Sequence, residues 1–188
     1  MAITAVPKLL ELLSLKGHIV TADALNCQRL IAAQVVEQGG DYVLALRGNQ
    51  GSLHDDVRCF LDDPTCTAEM AHTTVDGEHG RIETRASLVS TDIAWLQERH
   101  AWPGLAAIGR VRRTREVGTK ISTETAYYLL STPLTAKRFG EVARGHWGVE
   151  NGLDWVLDVT MNEDQARTRK DHGPQNIALL RRLALNLA

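Results

Sequence analysis

Glu150, Asp154 and Asp158 recur at four-residue spacing in the segment RGHWGVENGLDWVLD, residues 144–158. The segment reads as a helix, and carboxylates four apart drift only slowly around one side of it. Like charges at that spacing cost an isolated helix roughly 0.2–0.5 kcal/mol per pair. A divalent cation reverses the sign. Magnesium takes hard oxygen ligands, and a glutamate on a helix can hold one side of such a site. Trp147 and Trp155 flank the glutamate, and Arg144 and His146 precede it. The competing reading is a solvated acidic face with the tryptophans as core anchors.

Asp23 is the second group that could do chemistry. It ends the β-prone run HIVTADA, residues 18–24, just before a helical segment. Ligands of open α/β sheets bind beyond the carboxyl ends of strands, where an aspartate can hold a metal. A carboxylate capping the following helix is an equally good account of the residue. Two carboxylates from separate elements are what a two-metal phosphoryl-transfer site needs, with a third normally wanted. If Asp23 and Glu150 share a site, their carboxylates should lie on the order of 4–8 Å apart, given ligand distances near 2.1 Å and metals ~4 Å apart.

Arginines supply the third kind of group. Arg110, Arg112, Arg113 and Arg115 lie in one strand-like run, with Arg110 and Arg112 on one face and Arg113 and Arg115 on the other. A sheet face of arginines suits a phosphate backbone, and a charged edge strand guarded against aggregation suits the same residues. Arg167, Arg169 and Lys170 form a second cluster, and HGRIETR (79–85) a third charged segment, whose plainer reading is a hairpin strand with its alternating charges outward. The turn Gly48-Asn49-Gln50-Gly51 lacks the ending of a Walker loop, and the chain has no GxSxG or HExxH.

The elements that must position these groups follow from punctuation and periodicity. Strands are expected over 18–24 and 41–47, with Asn26 capping a helix over 27–38 that Gly39-Gly40 ends. Ser52 starts a helix through Leu61. This β-α-β-α order predicts a parallel sheet with helices on its faces. Residues 68–75, 81–90, 105–115 and 124–132 read as strands, antiparallel in part, with a short helix over 92–100. Thr135 can cap a helix over 136–157, and another spans 174–187.

The chain has 188 residues, 44% of them hydrophobic, enough for one α/β domain with a real core. Its net charge of -2 gives no bulk signal for nucleic acid, so any such contact must be local. Cys27, Cys59 and Cys66 are odd in number and without a CxxC pair, which fits reduced thiols in a cytosolic protein. No apolar run reaches the ~18 residues of a membrane span, and the amino terminus does not read as a signal peptide. Both ends read as cut from something longer, since periodic helices begin and finish the chain without cap or tail.

Three long blocks together carry a resemblance: 21–57 (TADALNCQRLIAAQVVEQGGDYVLALRGNQGSLHDDV), 79–85, and 144–169 (RGHWGVENGLDWVLDVTMNEDQARTR). They resemble bacterial insertion-sequence transposases of the DDE superfamily, in the group that includes the H-repeat-associated proteins. The similarity spans nearly the whole chain. It implies a ribonuclease-H-like catalytic core with a β-rich insertion, at about 68–132, between the second and third catalytic acids. By motif, Asp23 matches the second acidic metal ligand and Glu150 the third. The family's first aspartate lies in an upstream DGK-type motif that this sequence lacks. Asp76-Gly77-Glu78 does not replace it, because it falls in the insertion. The family also usually has histidine where this chain has Asp154.

The resemblance thus implies DNA transposition by metal-dependent phosphodiester cleavage and strand transfer at insertion-sequence ends, impaired in a truncated chain. The implied cofactor is Mg2+, with Mn2+ able to replace it. Arg144 and His146 would orient the scissile phosphate. The implied partners are terminal-repeat and target DNA, and a second copy or a full-length transposase. The implied location is the bacterial cytoplasm, at the nucleoid. The alternative is a non-catalytic DNA-binding or dimerisation remnant acting as an inhibitor of transposition.

Overall fold

The apolar run DYVLAL becomes the strand on which both layers of the protein are built. The computed structural model describes residues 2–64, 71–78, 81–149, 167, 172–174 and 176–178. The chain divides into two units, 1–143 and 144–188. The first contains α1 (Ala2–Glu11), β1 (Ile19–Ala22), a 3-10 turn (Ala24–Asn26), α2 (Arg29–Glu37) and β2 (Asp41–Leu46). A second 3-10 turn (Gly48–Gln50) leads into α3 (Ser52–Asp62). There follow β3 (Ala71–Glu78), β4 (Arg81–Ser90), α4 (Ala94–His100), β5 (Ala107–Val117), β6 (Lys120–Leu130) and α5 (Ala136–Val149).

The six strands form one sheet in the order β1-β2-β6-β5-β4-β3. The expected parallel pairing holds for β1 and β2, in the register Ile19↔Asp41 to Ala22↔Leu44. It goes no further, because β6 returns antiparallel along the other edge of β2, with Val43 opposite Leu130. From β6 to β3 every pairing is antiparallel. The sheet is therefore mixed, and the β-rich middle of the chain is continuous with the β1-β2 pair through β6.

Alternation along β2 divides the core. Tyr42, Leu44 and Leu46 point to one face and pack with Ile31, Val35, Val57, Leu61 and Leu96 from α2, α3 and α4. Val43 points to the other and packs with Val89, Ala107, Leu130, Phe139 and Ala143. Each fully buried aliphatic side chain of this kind contributes roughly 1.5–3 kcal/mol. Beyond these clusters β5 and β6 run on as a charged ribbon; Lys120–Thr125 are exposed.

Several boundaries differ from the sequence expectation. Asn26 does not cap the helix after it: α2 begins at Arg29, and Gln28 at its N-cap makes no side-chain capping bond, its amide donating back to the Leu25 carbonyl instead. Asn26 is drawn into the 3-10 turn instead, where its side-chain amide donates to Asp23. Strand β6 begins at Lys120 rather than 124, since backbone pairing with β5 carries it past the last buried residue. Thr135 does cap α5, its Oγ1 accepting from the Arg138 amide at 3.2 Å. The expected continuation of that helix past Val149, and most of the one over 174–187, lie outside the described residues.

Gly109 of β5 lies directly under the Phe139 ring of α5. A Cβ there would lie 2.6 Å from Cζ of Phe139, which is fully buried. Gly109→Ala should therefore overpack this face and destabilise the protein by about 1–3 kcal/mol. Urea unfolding measures the loss, and adding Phe139→Leu should restore part of it. A Gly109→Ala protein as stable as the parent would show that the helix shifts freely on the sheet.

Candidate functional site

Parallel β1 and β2 end side by side, so the loops that leave them are neighbours. Asp23 follows β1 directly and caps the 3-10 turn Ala24–Asn26. Its Oδ1 accepts from the Asn26 amide at 3.1 Å and from Asn26 Nδ2 at 2.9 Å. Its Oδ2 makes no hydrogen bond or ion pair among the described residues. Of the two readings of Asp23 made from sequence, the cap is present but serves a 3-10 turn rather than a helix, and the second carboxylate oxygen is open at the strand end.

The turn that leaves β2 braces this segment. Asn49 Nδ2 donates to the Ala24 carbonyl at 2.7 Å, and Gln50 Nε2 to the Cys27 carbonyl at 2.5 Å. Gly51, at φ 55 and ψ -124, occupies backbone space that glycine tolerates and lets α3 begin at once. Sequence reasoning treated these residues only as a turn. The available signal was a pair of amide side chains between glycines at the end of a strand next to the Asp23 strand.

The donor set at Asp23 fits a hard cation. Half-buried Asp23 carries no ion pair among the described residues, so none of their cations competes for it. The nearby sulfur is silent: burial, reinforced by the charge of Asp23, pushes the Cys27 thiol up to about 12. Thiolate rather than thiol binds metals, so at neutral pH oxygen donors remain. Among the described residues no three His, Cys, Asp or Glu side chains are grouped as a ligand set. Glu150, Asp154 and Asp158 lie outside the described residues. Arg144 and His146 fall in the second unit, on the closing turns of α5, where His146 meets Trp147 edge-on at 6.4 Å.

The arginine strand is β5, and its four arginines have different surroundings. Arg110 and Arg112 share the α3 face, as their spacing predicts. Arg110, only 14% exposed, pairs with Asp62 at 2.9 Å and also donates to the Leu61 carbonyl. Arg112 lies 3.7 Å from the same carboxylate and is half exposed. The Tyr127 hydroxyl donates to Asp62 Oδ2 at 2.7 Å. On the other face Arg113 pairs with Glu124 across the ladder, and Arg115 is exposed without an ion pair among the described residues. Residues 81–85 of the HGRIETR segment form the start of β4, and His79 and Gly80 lie outside the described residues. Glu83 is buried rather than outward and pairs with Arg85, which also holds Asp76 at 2.6 Å. Arg167 is exposed; Arg169 and Lys170 lie outside the described residues.

A family model described as "Transposase DDE domain" matches residues 2–187. The "Putative transposase YncI" of Escherichia coli O157:H7 is 36% identical over 198 residues, covering 98% of this chain and 49% of that protein. The "H repeat-associated putative transposase YhhI" of Escherichia coli K12 is 34% identical over 192 residues, with 98% and 51% covered. An uncharacterized protein of Xanthobacter autotrophicus is 43% identical over 134 residues, with 69% and 44% covered. The chain spans about half the length of the curated relatives it matches along its whole length.

The Asp62 pairing makes stability depend on acid. Burial works against its charge, but the Tyr127 hydroxyl and the Arg110 and Arg112 guanidiniums together hold its carboxyl below the usual range. Unfolded, Asp62 takes up its proton at the ordinary carboxylate value; folded, it resists to lower pH. Its contribution is therefore complete above the ordinary value and is lost as pH falls through the folded one. Asp62→Asn should be less stable than the parent at neutral pH, with the difference closing in acid. Denaturant midpoints across pH measure this, and a gap that persists at low pH would contradict the pairing.

Proposed function

The chain belongs to the transposase DDE domain family, and from that premise we propose that it carries part of a metal-dependent site for cutting DNA phosphodiesters. The observation that supports this most is Asp23: a strand-end carboxylate with one oxygen clamped and the other open. The fold proposed for it is the ribonuclease-H-like core that the family implies, with β3 to β6 as the β-rich insertion between Asp23 and Glu150. Asp23 and Glu150 are the two acids that the resemblance assigns to that core.

The roles follow from the chemistry of each side chain. Asp23 and Glu150 would hold divalent cations, Mg2+ or Mn2+, as oxygen ligands. When bound, such ions activate the attacking oxygen and stabilise the leaving one. Arg144 would grip the scissile phosphate through charge-assisted hydrogen bonds, and His146 would orient it from the same helix. Arg112, Arg113 and Arg115 would contact the DNA backbone from the ribbon, with Arg167, Arg169 and Lys170 as a second contact. Arg110 would support them from its pairing with Asp62. A magnesium pair also wants a third anionic anchor, which the family resemblance locates in a DGK motif absent from these 188 residues. We therefore propose nicking at a low rate and no strand joining by this chain alone. Recognition of insertion-sequence ends, pairing with a second copy or a full-length transposase, and a cytoplasmic site of action at the nucleoid belong to the same proposal. No helix among the described residues is long and apolar enough to cross a membrane.

Two measurements test this reading. In a supercoiled-plasmid assay with Mn2+, the chain should nick slowly, and Asp23→Asn and Glu150→Gln should each lower the rate by roughly 100-fold, as misplaced reacting groups do. Nicking unchanged by Asp23→Asn would remove the residue from the site, and robust joining of oligonucleotide ends with Mg2+ would overturn the incomplete-site reading. In a salt-titrated binding assay, R112A/R113A should weaken duplex DNA binding irrespective of sequence. It should also flatten the salt dependence by about one unit of slope for each phosphate no longer neutralised. Equal affinity and slope would take the ribbon out of the DNA interface.

A further inference from the structure

The clamp on Asp23 cannot be self-supporting. Both of its bonds come from Asn26, which belongs to a 3-10 turn of three residues. The turn's own bonds are long, 3.2 Å from the Asn26 amide to the Asp23 carbonyl and 3.4 Å from the Cys27 amide to the Ala24 carbonyl. Single 3-10 turns have poor hydrogen-bond geometry and hold little by themselves. Asn26 also accepts an unfavourable arrangement: its Oδ1 is buried without a hydrogen-bond partner among the described residues while its Nδ2 serves Asp23. An orphaned buried acceptor works against the fold, so something else must hold the turn in this form.

Two side chains do so. Asn49 grips the Ala24 carbonyl and Gln50 the Cys27 carbonyl, one at each end of the turn. Their own backbone is fixed by Gln50 N to the Arg47 carbonyl and Gly51 N to the Gly48 carbonyl, both 3.0 Å, between β2 and the buried side of α3. The turn is thus anchored to the interior by amide bridges and by the buried side chain of Cys27.

We infer that Asn49 and Gln50 are positioning residues for Asp23, holding the 23–27 turn so that Oδ1 is clamped by Asn26 and Oδ2 stays available to a cation. The inference rests on the proposed role of Asp23 as a metal ligand. It assigns the Gly48–Gly51 turn a task that its composition alone does not reveal. What matters is the donor amide of each side chain, not the space it fills.

The test uses the full chain, with Mn2+ as the probe read by electron paramagnetic resonance, and amide hydrogen exchange read without metal. Asn49→Ala and Gln50→Ala should each weaken Mn2+ binding about fivefold or more, the effect of one lost hydrogen bond. They should also speed exchange at the Asn26 and Cys27 amides while β2 and β6 keep their protection, which shows that the fold is intact. Gln50→Glu keeps the length but loses the donor, and should behave like Gln50→Ala. Asp23→Asn is the control. If it weakens Mn2+ binding while the Asn49 and Gln50 variants match the parent in affinity and exchange, the positioning role is overturned and the Asp23 ligand stands. If Gln50→Glu matches the parent, the residue acts by packing and the donor argument fails. If Asp23→Asn leaves Mn2+ binding unchanged, the metal-ligand reading falls and the role toward a cation falls with it; faster exchange in the alanine variants would then mark Asn49 and Gln50 as braces of the turn alone.

Discussion

Strand β2 has to satisfy two neighbours of opposite direction while burying both of its faces. On one edge it runs parallel to β1, and on the other antiparallel to β6. Tyr42, Val43, Leu44 and Leu46 are all nearly or fully buried, so a slip of one residue would exchange the contents of the two cores. A small polar clasp opposes such a slip. Ser131 Oγ accepts from the Tyr42 amide and donates to Asp41 Oδ1, both at 2.8 Å, while the Ser131 amide donates to the Tyr42 carbonyl. The Tyr42 hydroxyl adds a bond to the Pro103 carbonyl at 2.7 Å, a partner consistent with its burial. Everything placed at the far end of β1 and β2 inherits this register. Asp23 leaves one strand and the Asn49-Gln50 pair leaves the other, so their hydrogen bonds report how firmly β2 is held.

The same sheet changes character where it leaves the cores. Along β5 the change occurs at Arg110. Before it, Ala107, Ile108 and Gly109 are buried; after it come the exposed or half-buried arginines. Arg110 is a structural residue at this boundary, joining α3 to the sheet through Asp62 and shielded from water. Arg112, Arg113 and Arg115 sit farther along, where ion pairs are more exposed and individually worth about 0–1 kcal/mol. Such pairs exchange partners at little cost, which a buried pair cannot do. The difference between these arginines comes from depth, and depth is set by where the helices stop covering the ribbon.

Depth and tertiary pairing are also what the sequence left illegible. The strand ending at Asp23, the β2 run, the α3 start at Ser52 and the Thr135 cap were readable, because each is set by local periodicity or a local hydrogen bond. The mixed sheet was only half readable. A β-α-β order predicts the β1-β2 pair, but nothing local says that β6 will return to cover the other side of β2. Asn26 was misread because a preferred N-cap residue was judged by type and place; the competing partner, Asp23, lay three residues back and won its amide. Glu83 looked like one more outward charge in an alternating segment, yet it is buried against Arg85. The two amides at Asn49 and Gln50 were invisible as a brace, since their acceptors are backbone carbonyls more than twenty residues away. The family resemblance named Asp23 and Glu150, but it could not show how one oxygen of Asp23 is held.

The chemistry available at Asp23 is narrowed by what surrounds it. Elsewhere in the first unit Asp56, Asp62, Asp76 and Glu83 are tied to arginine or histidine. Their charges stabilise the fold and are compensated within it. Among the described residues Asp23 is compensated only by hydrogen bonds from Asn26, which orient the carboxylate without neutralising it. Its remaining charge is felt by Cys27, whose thiol is pushed up chiefly by burial and further by Asp23. A bound cation would cancel that second effect, but burial would still keep the sulfur protonated at neutral pH. The site therefore offers oxygen and no thiolate, whether or not a cation is bound. In the proposed site, hard ions that seek carboxylate oxygen would be favoured over the softer ions that thiolates select. That preference arises from the packing of Cys27 beneath the turn, the same packing that helps to hold Asp23 in place.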